Sequence, residues 1–485
     1  MDAISNKTSK ENMRYLTHSI IGIIIMFGFG FIPPIAPITE LGMKILGIFL
    51  GLIYLWSMVD MLWPSLLGVF AFAFSGYAPM AEILKLTYGN ETVWICLFSL
   101  AFLGVIESAG INEHIVIFLL SRKVINGRPW MFTLIWFIAC FVLAVLIGNL
   151  PATLLLWSIF NEVASKLNLP KGDRFAAFMI IGVPTICGFS SCLLPFRGLP
   201  LLLLGTLKSM SGISVAYLNY MCVSFPIIIV SIFAYIGMMR FVLRIDVSAF
   251  KNINMDLFKK DIPPMSKMQK FLLGYLIFFL IMLSIPGLLP KGSWVGLKMT
   301  ALGTSGIMIF LFVLLCIIRL DDKPLVNFQK LAGVHIMWSM VFLIATALAL
   351  ATILVADETG IKPFLINILT VIFAGKGQMV FLVILTAIAL ILTNFCNNMV
   401  TAFMLVPLAV AYGAQFTINL PGAVTLICFA VLPAFLIPAA SPFAAMVFSH
   451  PLIDKGKNFG NTLIVVILCY LVLISVGIPL SMLVY

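Results

Sequence analysis

The chain has 485 residues, of which 62% are hydrophobic and only 10% are charged, and its formal net charge is +11. Together with a mean hydropathy of +1.17, this composition excludes a soluble protein, because no soluble core buries so much apolar side chain. The basic residues are spread among loops and form neither a tail nor a finger motif, which argues against a nucleic-acid partner. The sequence therefore predicts an integral membrane protein in contact with lipid.

Apolar runs long enough to cross a bilayer follow one another from Ile20 to the C-terminus. A hydrocarbon core about 30 Å thick needs roughly 20 apolar residues per helix, and the alternating segments of a membrane β-barrel are absent. We therefore predict an all-α polytopic protein with about 11 transmembrane helices. The predicted spans are 17–33, 43–59, 61–77, 94–110, 173–205, 214–244, 271–289, 299–318, 336–356, 418–449 and 461–484.

Two further apolar stretches, 129–162 and 378–411, are interrupted at their centres by polar residues and cannot be single spans. The interruptions read GNLPAT at 148–153 and CNNMVT at 396–401. Such a stretch is typical of a re-entrant hairpin, whose irregular tip must lie against protein or a water-filled cavity. The first stretch has basic flanks at both ends and the second has a single lysine. We therefore expect the first hairpin to open inside and the second outside.

The distribution of basic residues also predicts the topology of the chain. With a cytoplasmic N-terminus and both hairpins turning back, most Lys and Arg residues fall in inside loops, among them the loop 245–270. This positive-inside bias predicts a multi-pass protein of the cell membrane, such as a bacterial inner membrane.

The order of the elements repeats with opposite orientation. GVIESAGI at 104–111 resembles LVADETGI at 354–361, and each is followed by an amphipathic piece and then by a hairpin. Each hairpin precedes an apolar span broken by prolines and small residues, PTICGFSSCLLPFRG at 184–198 and PAFLIPAASPFAAM at 433–446. Secondary transporters build a midplane binding site from inverted repeats with broken helices and polar tips. The arrangement therefore favours a transporter.

Other classes of membrane protein fit the sequence less well. An enzyme needs a nucleophile, a carboxylate pair or a metal cluster, and no HExxH, GxSxG or Walker-type run occurs. The nine cysteines lie singly, without CxxC pairs. A channel is a further alternative, but paired inverted hairpins indicate an occludable site more than an open pore.

The second hairpin carries a family resemblance. LTNFCNNMVTAFMLVP at 392–407 resembles the second signature of the divalent anion/sodium symporters, the INDY-like dicarboxylate carriers, written roughly T-E-F-x-S-N-T-A-T-A with a proline beyond. LIPAASPFAAMVF at 436–448 resembles the later stretch L-P-V-A-T-P-P-N-A-I-V-F. The first-half Ser-Asn-Thr motif is reduced to Gly148-Asn149-Leu150, so the chain resembles a divergent member. The positions that match the second signature are Thr393, Phe395, Asn398, Thr401, Ala402 and Pro407.

The resemblance implies the elevator fold of the ion transporter superfamily, in a homodimer. It implies scaffold helices in 1–93 and 214–335, transport regions 94–213 and 336–460, and a C-terminal helix in 461–485. It also implies sodium as the coupling ion, bound at both hairpin tips. The sodium ligands would be Gly148, Asn149 and Gly188 at the first tip, and Thr393, Cys396, Asn398 and Ala440 at the second. The substrate would contact Asn149, Thr153, Asn398, Thr401, Ser441 and Pro442.

The sequence departs from the family pattern at Leu150 and Met399, which replace threonines that can donate to a carboxylate oxygen. Arg197 is a further departure, because an arginine within a span costs about 2.5 to 3.5 kcal/mol on insertion scales and needs protein or water around it. Two interpretations of Arg197 are open. It either binds a substrate carboxylate or takes the place of a cation, or it snorkels to the outer interface.

Two functions follow from these features. The leading hypothesis is a secondary active transporter of small organic anions, a sodium-coupled C4-dicarboxylate symporter with an elevator mechanism. The alternative is a sodium-independent anion exchanger on the same fold, in which Arg197 substitutes for a cation site.

Overall fold

The computed structural model describes residues 2–121, 123–252, 264–288, 293–320, 323–373, 377–416 and 418–485. The first half contains α1 (Asp2–Gly28), α2 (Glu40–Met58), α3 (Leu62–Phe74), α4 (Met80–Leu86), α5 (Glu91–Ser108), α6 (Ile111–Leu120), α7 (Pro129–Ile147), α8 (Asn149–Lys166), α9 (Arg174–Ser191), α10 (Gly198–Ser211) and α11 (Tyr217–Gly237). The second contains α12 (Lys267–Leu288), α13 (Trp294–Ile317), α14 (Phe328–Val334), α15 (Trp338–Leu354), α16 (Ile361–Phe373), α17 (Gln378–Leu392), α18 (Asn398–Gln415), α19 (Leu420–Ala430), α20 (Pro442–Ser449), α21 (Lys455–Val472) and α22 (Ile478–Val484).

The predicted all-α class is confirmed. Within the described residues, strand structure is limited to a two-residue antiparallel pairing of Arg319–Leu320 with Lys323–Pro324. The predicted loop 245–270 is described only in part, because residues 253–263 lie outside the described ranges.

A multi-pass membrane protein is confirmed, with a smaller number of full-length spans than the sequence predicts. Eight of the described helices are long and apolar enough to cross a membrane, or up to nine if α14 and α15, which are bent by 78°, form one span. The difference arises where helices are short or broken. The predicted span 61–77 forms only the 13-residue α3, and 418–449 divides into α19 and α20.

The helix breaks lie where local backbone chemistry requires them. Gly148 separates α7 from α8 with φ of +95°, a left-handed conformation that glycine adopts without steric cost. Ser441 and Pro442 begin α20, with the serine as N-cap and the proline in the first turn, the positions that each residue prefers.

The hairpin arms of the two halves pack in the same way. The arms α7 and α8 both contact α9, and the arms α17 and α18 both contact α19. The short α6 precedes the first hairpin and contacts α7, whereas α16 precedes the second and contacts α18. The packing of the hairpin arms on the following helix thus repeats, whereas the helix before each hairpin contacts a different arm.

The broken helices lie at the centre of the molecule. Every side chain of α9 from Phe175 to Ser190 is buried, and α10 contacts α15, α18 and α19. These contacts place the breaks of α9–α10 and α19–α20 between the two hairpins.

Candidate functional site

The first hairpin tip presents an amide toward α9. Asn149 begins α8, and its side-chain Oδ1 accepts a hydrogen bond from the Thr153 hydroxyl at 3.1 Å. The Nδ2 atom of Asn149 lies 3.4 Å from the position that a β-carbon would take at Gly188. The carbonyl of Gly188 in turn accepts a hydrogen bond from the Ser191 hydroxyl at 2.7 Å. The tip and the end of α9 are therefore in direct contact.

Arg197 lies in the break between α9 and α10 and is directed at the same tip. Its Nη1 donates to the carbonyl of Val145 at 2.8 Å, and its Nη2 lies 2.5 Å from the β-carbon position of Gly148. In the described part of the chain, Arg197 forms no salt bridge, although the carboxylate of Glu107 interacts with it electrostatically. The guanidinium thus brings one positive charge to the first tip.

The second tip is bonded to the end of α19. The buried hydroxyl of Thr393 lies 2.6 Å from the carbonyl oxygen of Val431 and 3.0 Å from Oδ1 of Asn398, and can donate to either. The neighbouring Asn397 caps α18 by accepting from the amide N–H of Met399 at 2.9 Å. Three uncharged oxygens are therefore grouped at the second tip.

The two half-sites meet where the broken helices touch. The β-carbon position of Gly188 lies 3.9 Å from Cβ of Leu432, and the rings of Phe189 and Phe429 pack edge to face with centroids 5.3 Å apart. Since Leu432 follows Val431, the contacts run from Asn149 through the two broken helices to the second tip. Predicted residues of both halves therefore surround one junction.

The remaining predicted substrate-binding residues differ in whether their polar groups are already hydrogen-bonded within the protein. Ser441 donates to the carbonyl of Ala434 at 2.8 Å and accepts from the N–H of Ala444 at 3.0 Å, so its hydroxyl stabilises the start of α20. Pro442 is exposed beside it. The hydroxyl of Thr401 is buried and has no hydrogen-bond partner among the described residues.

Two predicted sodium ligands have mainly backbone groups to offer. Cys396 is partly buried, and its backbone N–H donates to the carbonyl of Leu392 at 2.9 Å. Ala440 is buried, and its N–H donates to the carbonyl of Ile437 at 3.0 Å.

Asn394 is the residue at this site that the sequence reasoning missed. It is 1% exposed and bonds α17 to the break between α19 and α20. The available signal was the first asparagine in TNFCNN, which stands where the family pattern T-E-F-x-S-N has a glutamate.

The chemistry of the site suits anions and hard monovalent cations more than bond-breaking reactions. The described residues contain no group of three His, Cys, Asp or Glu side chains placed to hold a metal ion. The donors are a guanidinium, an amide and hydroxyls, and the acceptors are amide and carbonyl oxygens.

The fold and the site define a multi-pass membrane transporter, and comparison with known proteins gives its family. A model of the citrate transporter family matches residues 52–432, which is most of the chain, so the chain belongs to the citrate transporter family. It is similar to the sodium-dependent dicarboxylate transporter SdcS of Staphylococcus saprophyticus subsp. saprophyticus, with 23% identity over 407 residues that cover 79% of this chain and 75% of the relative. The expected divergent membership among anion transporters is confirmed, and the protein is a transporter, not an enzyme.

Proposed function

We propose that the protein is a secondary active transporter of small organic anions, a C4-dicarboxylate or a citrate-like relative, coupled to sodium. The observation that carries this proposal is the single junction between the two half-sites. The amide of Asn149 and the hydroxyl of Thr393 contact the ends of the two broken helices that meet there, and Arg197, which forms no salt bridge among the described residues, lies against the first tip. A substrate carboxylate supplies the missing negative charge, and a guanidinium binds carboxylates through paired hydrogen bonds.

The names of the family and of the similar protein support the same substrate class. The family model describes a citrate transporter, and the similar staphylococcal protein is named a sodium-dependent dicarboxylate transporter. Both substrates carry two or more carboxylates, which matches a site with a fixed positive charge.

We propose that sodium binds at the second half-site. The oxygens of Asn398 and Val431 are neutral and each lies within hydrogen-bonding distance of the Thr393 hydroxyl, and sodium takes oxygen ligands of this kind in broken-helix transporters. The first half-site has comparable oxygens, but the guanidinium of Arg197 lies against Gly148. A second cation would be repelled there, so Arg197 takes its place.

We also propose an elevator mechanism in a homodimer with cytoplasmic N-termini. The regions 94–213 and 336–460 would move against the scaffold helices of 1–93 and 214–335, with 461–485 as the C-terminal helix. The contacts from Asn149 to Gly188 and from Thr393 to Val431 support this proposal, because they tie both tips to the same pair of broken helices. Such a unit moves its two tips together.

Sodium-independent exchange is a second candidate, which the position of Arg197 favours. Import of a dianion with one sodium ion moves one net negative charge, which a potential of 100 mV, inside negative, opposes by about 2.3 kcal/mol. Exchange of two dianions moves no net charge. A fixed guanidinium in place of one sodium ion therefore suits an exchanger.

Uptake into proteoliposomes separates these functions. We expect labelled succinate or citrate to accumulate when an inward sodium gradient is imposed and to stop when sodium is replaced by choline. Accumulation of neither anion, with no competition by either, would overturn the substrate class. Counterflow at full rate without sodium would establish the exchanger.

A further inference from the structure

Asn394 uses both ends of its carboxamide inside the protein. The Nδ2 group donates to the carbonyl of Leu390 at 2.8 Å, and Oδ1 accepts from the N–H of Leu436 at 2.9 Å. Leu390 lies in the last turn of α17, where carbonyls lack backbone donors. Leu436 lies in the irregular segment between α19 and α20, where N–H groups lack helical acceptors. One side chain thus satisfies two backbone groups on different elements.

Asn394 and Thr393 hold two points of the same break, its start and its middle. Thr393 contacts the carbonyl of Val431, where α19 ends, and Asn394 holds Leu436 further along the break. Consecutive residues of the hairpin therefore fix the break at two points. Because Val431 also supplies one of the grouped oxygens, the spacing of those oxygens depends on how firmly the break is held.

We propose that Asn394 is a positioning residue that sets the affinity of the second half-site for its cation. It contacts neither substrate nor sodium in this proposal, which rests on the proposed function of the site. By holding Leu436 against α17, it keeps the carbonyl of Val431 at the distance from Thr393 and Asn398 that a sodium ion requires. Loss of either hydrogen bond lets the break move away from the tip.

The chemistry of the two hydrogen bonds limits what can replace Asn394. Leucine has the same approximate size but neither a donor nor an acceptor. An ionised aspartate accepts from Leu436 but cannot donate to Leu390, whereas a protonated aspartate can do both.

Asn397 gives a matched control on the same hairpin tip. Its Oδ1 accepts from the N–H of Met399, a capping bond that aspartate retains. The Asn397→Asp variant therefore adds the same carboxylate to the same tip without loss of a donor that the structure uses.

The experiment is sodium-dependent succinate uptake in proteoliposomes, with the half-saturating sodium concentration and the maximal rate measured separately. We expect Asn394→Leu to raise the half-saturating concentration about fivefold or more, the effect of one lost hydrogen bond. Asn394→Asp and Asn397→Asp add the same carboxylate to the same tip, but only the first loses a donor that the structure uses, so the half-saturating sodium concentration should be higher in Asn394→Asp than in Asn397→Asp. The Asp variant serves if the Leu variant does not fold.

Two outcomes overturn the proposal. Variants of Asn394 with unchanged half-saturation and a reduced maximal rate would show a purely structural role. If uptake by the wild type does not depend on sodium, the proposed function fails as well. This outcome is distinguished from the first because it is seen in the wild type, before any variant is measured.

Discussion

Arg197 and Gly148 are in contact across the first half-site. The Nη2 atom of Arg197 lies 2.5 Å from the β-carbon position of Gly148, and Nη1 is bonded to the carbonyl of Val145 in the last turn of α7. The C-terminus of a helix carries partial negative charge, which stabilises a cation at this position. The contact therefore accounts for an arginine at membrane depth and for a glycine beside it.

Replacement of Arg197 tests whether its charge binds substrate. We expect Arg197→Gln to raise the KM for succinate by about tenfold or more, because hydrogen bonds to charged groups contribute about 1.5 to 3 kcal/mol. Arg197→Lys keeps the charge but loses the paired nitrogen donors of the guanidinium, so its KM should lie between that of the wild type and that of Arg197→Gln. If Arg197→Gln lowers the amount of folded protein but leaves KM unchanged, the role of Arg197 is structural, through its hydrogen bond to Val145.

Replacement of Gly148 tests the contact itself. The β-carbon of an alanine at this position would collide with the guanidinium, and the φ of +95° adds backbone strain. The guanidinium ends a flexible side chain and can move aside, so the backbone conformation of Gly148 sets most of the cost, about 1 to 3 kcal/mol. We expect Gly148→Ala to lower the melting temperature and to abolish transport.

Gly212 is the control for Gly148→Ala. It has a φ of +73° and no atom within 4 Å of its β-carbon position. The Gly212→Ala variant places an alanine at φ +73° and ψ −4°, a left-handed conformation milder than the φ +95° and ψ 170° of Gly148, with no collision, and should retain transport. Equal losses in the two variants would contradict a specific role for the contact of Gly148 with Arg197.

Thr401 allows stability and function to be separated. Its buried hydroxyl has no partner among the described residues, so Thr401→Val removes an unsatisfied polar group whose burial costs about 1 to 3 kcal/mol. We expect the variant to be at least as stable as wild type but to have weaker substrate affinity, since the hydroxyl is proposed to bind the anion. Thermal unfolding and uptake by the same preparation check both parts.

Thr386 is the control for Thr401→Val, because its buried hydroxyl donates to the carbonyl of Leu382 within α17. Thr386→Val should leave substrate affinity unchanged. Wild-type affinity in Thr401→Val would remove Thr401 from the substrate site.

His450 makes stability depend on pH. Burial lowers the pKa of His450, and its Nδ1 accepts from the N–H of Leu452 at 3.3 Å, which requires that nitrogen to be unprotonated. Because the folded-state pKa lies below the unfolded value of about 6.5, the stability contribution is present above that pH and is lost as the pH falls.

We expect the melting temperature of the detergent-solubilised protein to fall between about pH 7.5 and 5.5, which brackets the unfolded pKa of histidine, by more in wild type than in His450→Gln. Identical pH profiles would show that protonation of His450 does not limit stability.

The helix breaks could be predicted from the sequence because they depend on local chemistry. Glycine at position 148 permits a positive φ, and the Ser-Pro pair at 441–442 favours the start of a helix, whatever the surrounding structure. The repeated order of hairpin and broken helix followed from hydrophobic patterning in the same way.

Contacts between distant segments could not be predicted in this way. The bond between Asn394 and Leu436 depends on how α17 packs against α19, and no local pattern encodes that distance. Arg197 had two open interpretations for the same reason, and the structure directs its guanidinium to the first tip. Hydropathy also does not show where a long apolar run divides into shorter helices, as 418–449 does into α19 and α20.

Sodium titration of succinate uptake in proteoliposomes tests the account most directly. With one cation site at the second tip and Arg197 in place of the other, we predict that uptake requires sodium and saturates with a Hill coefficient close to one. A Hill coefficient near two would contradict the role of Arg197 at the first tip. Uptake that is unchanged when sodium is removed would contradict sodium coupling altogether.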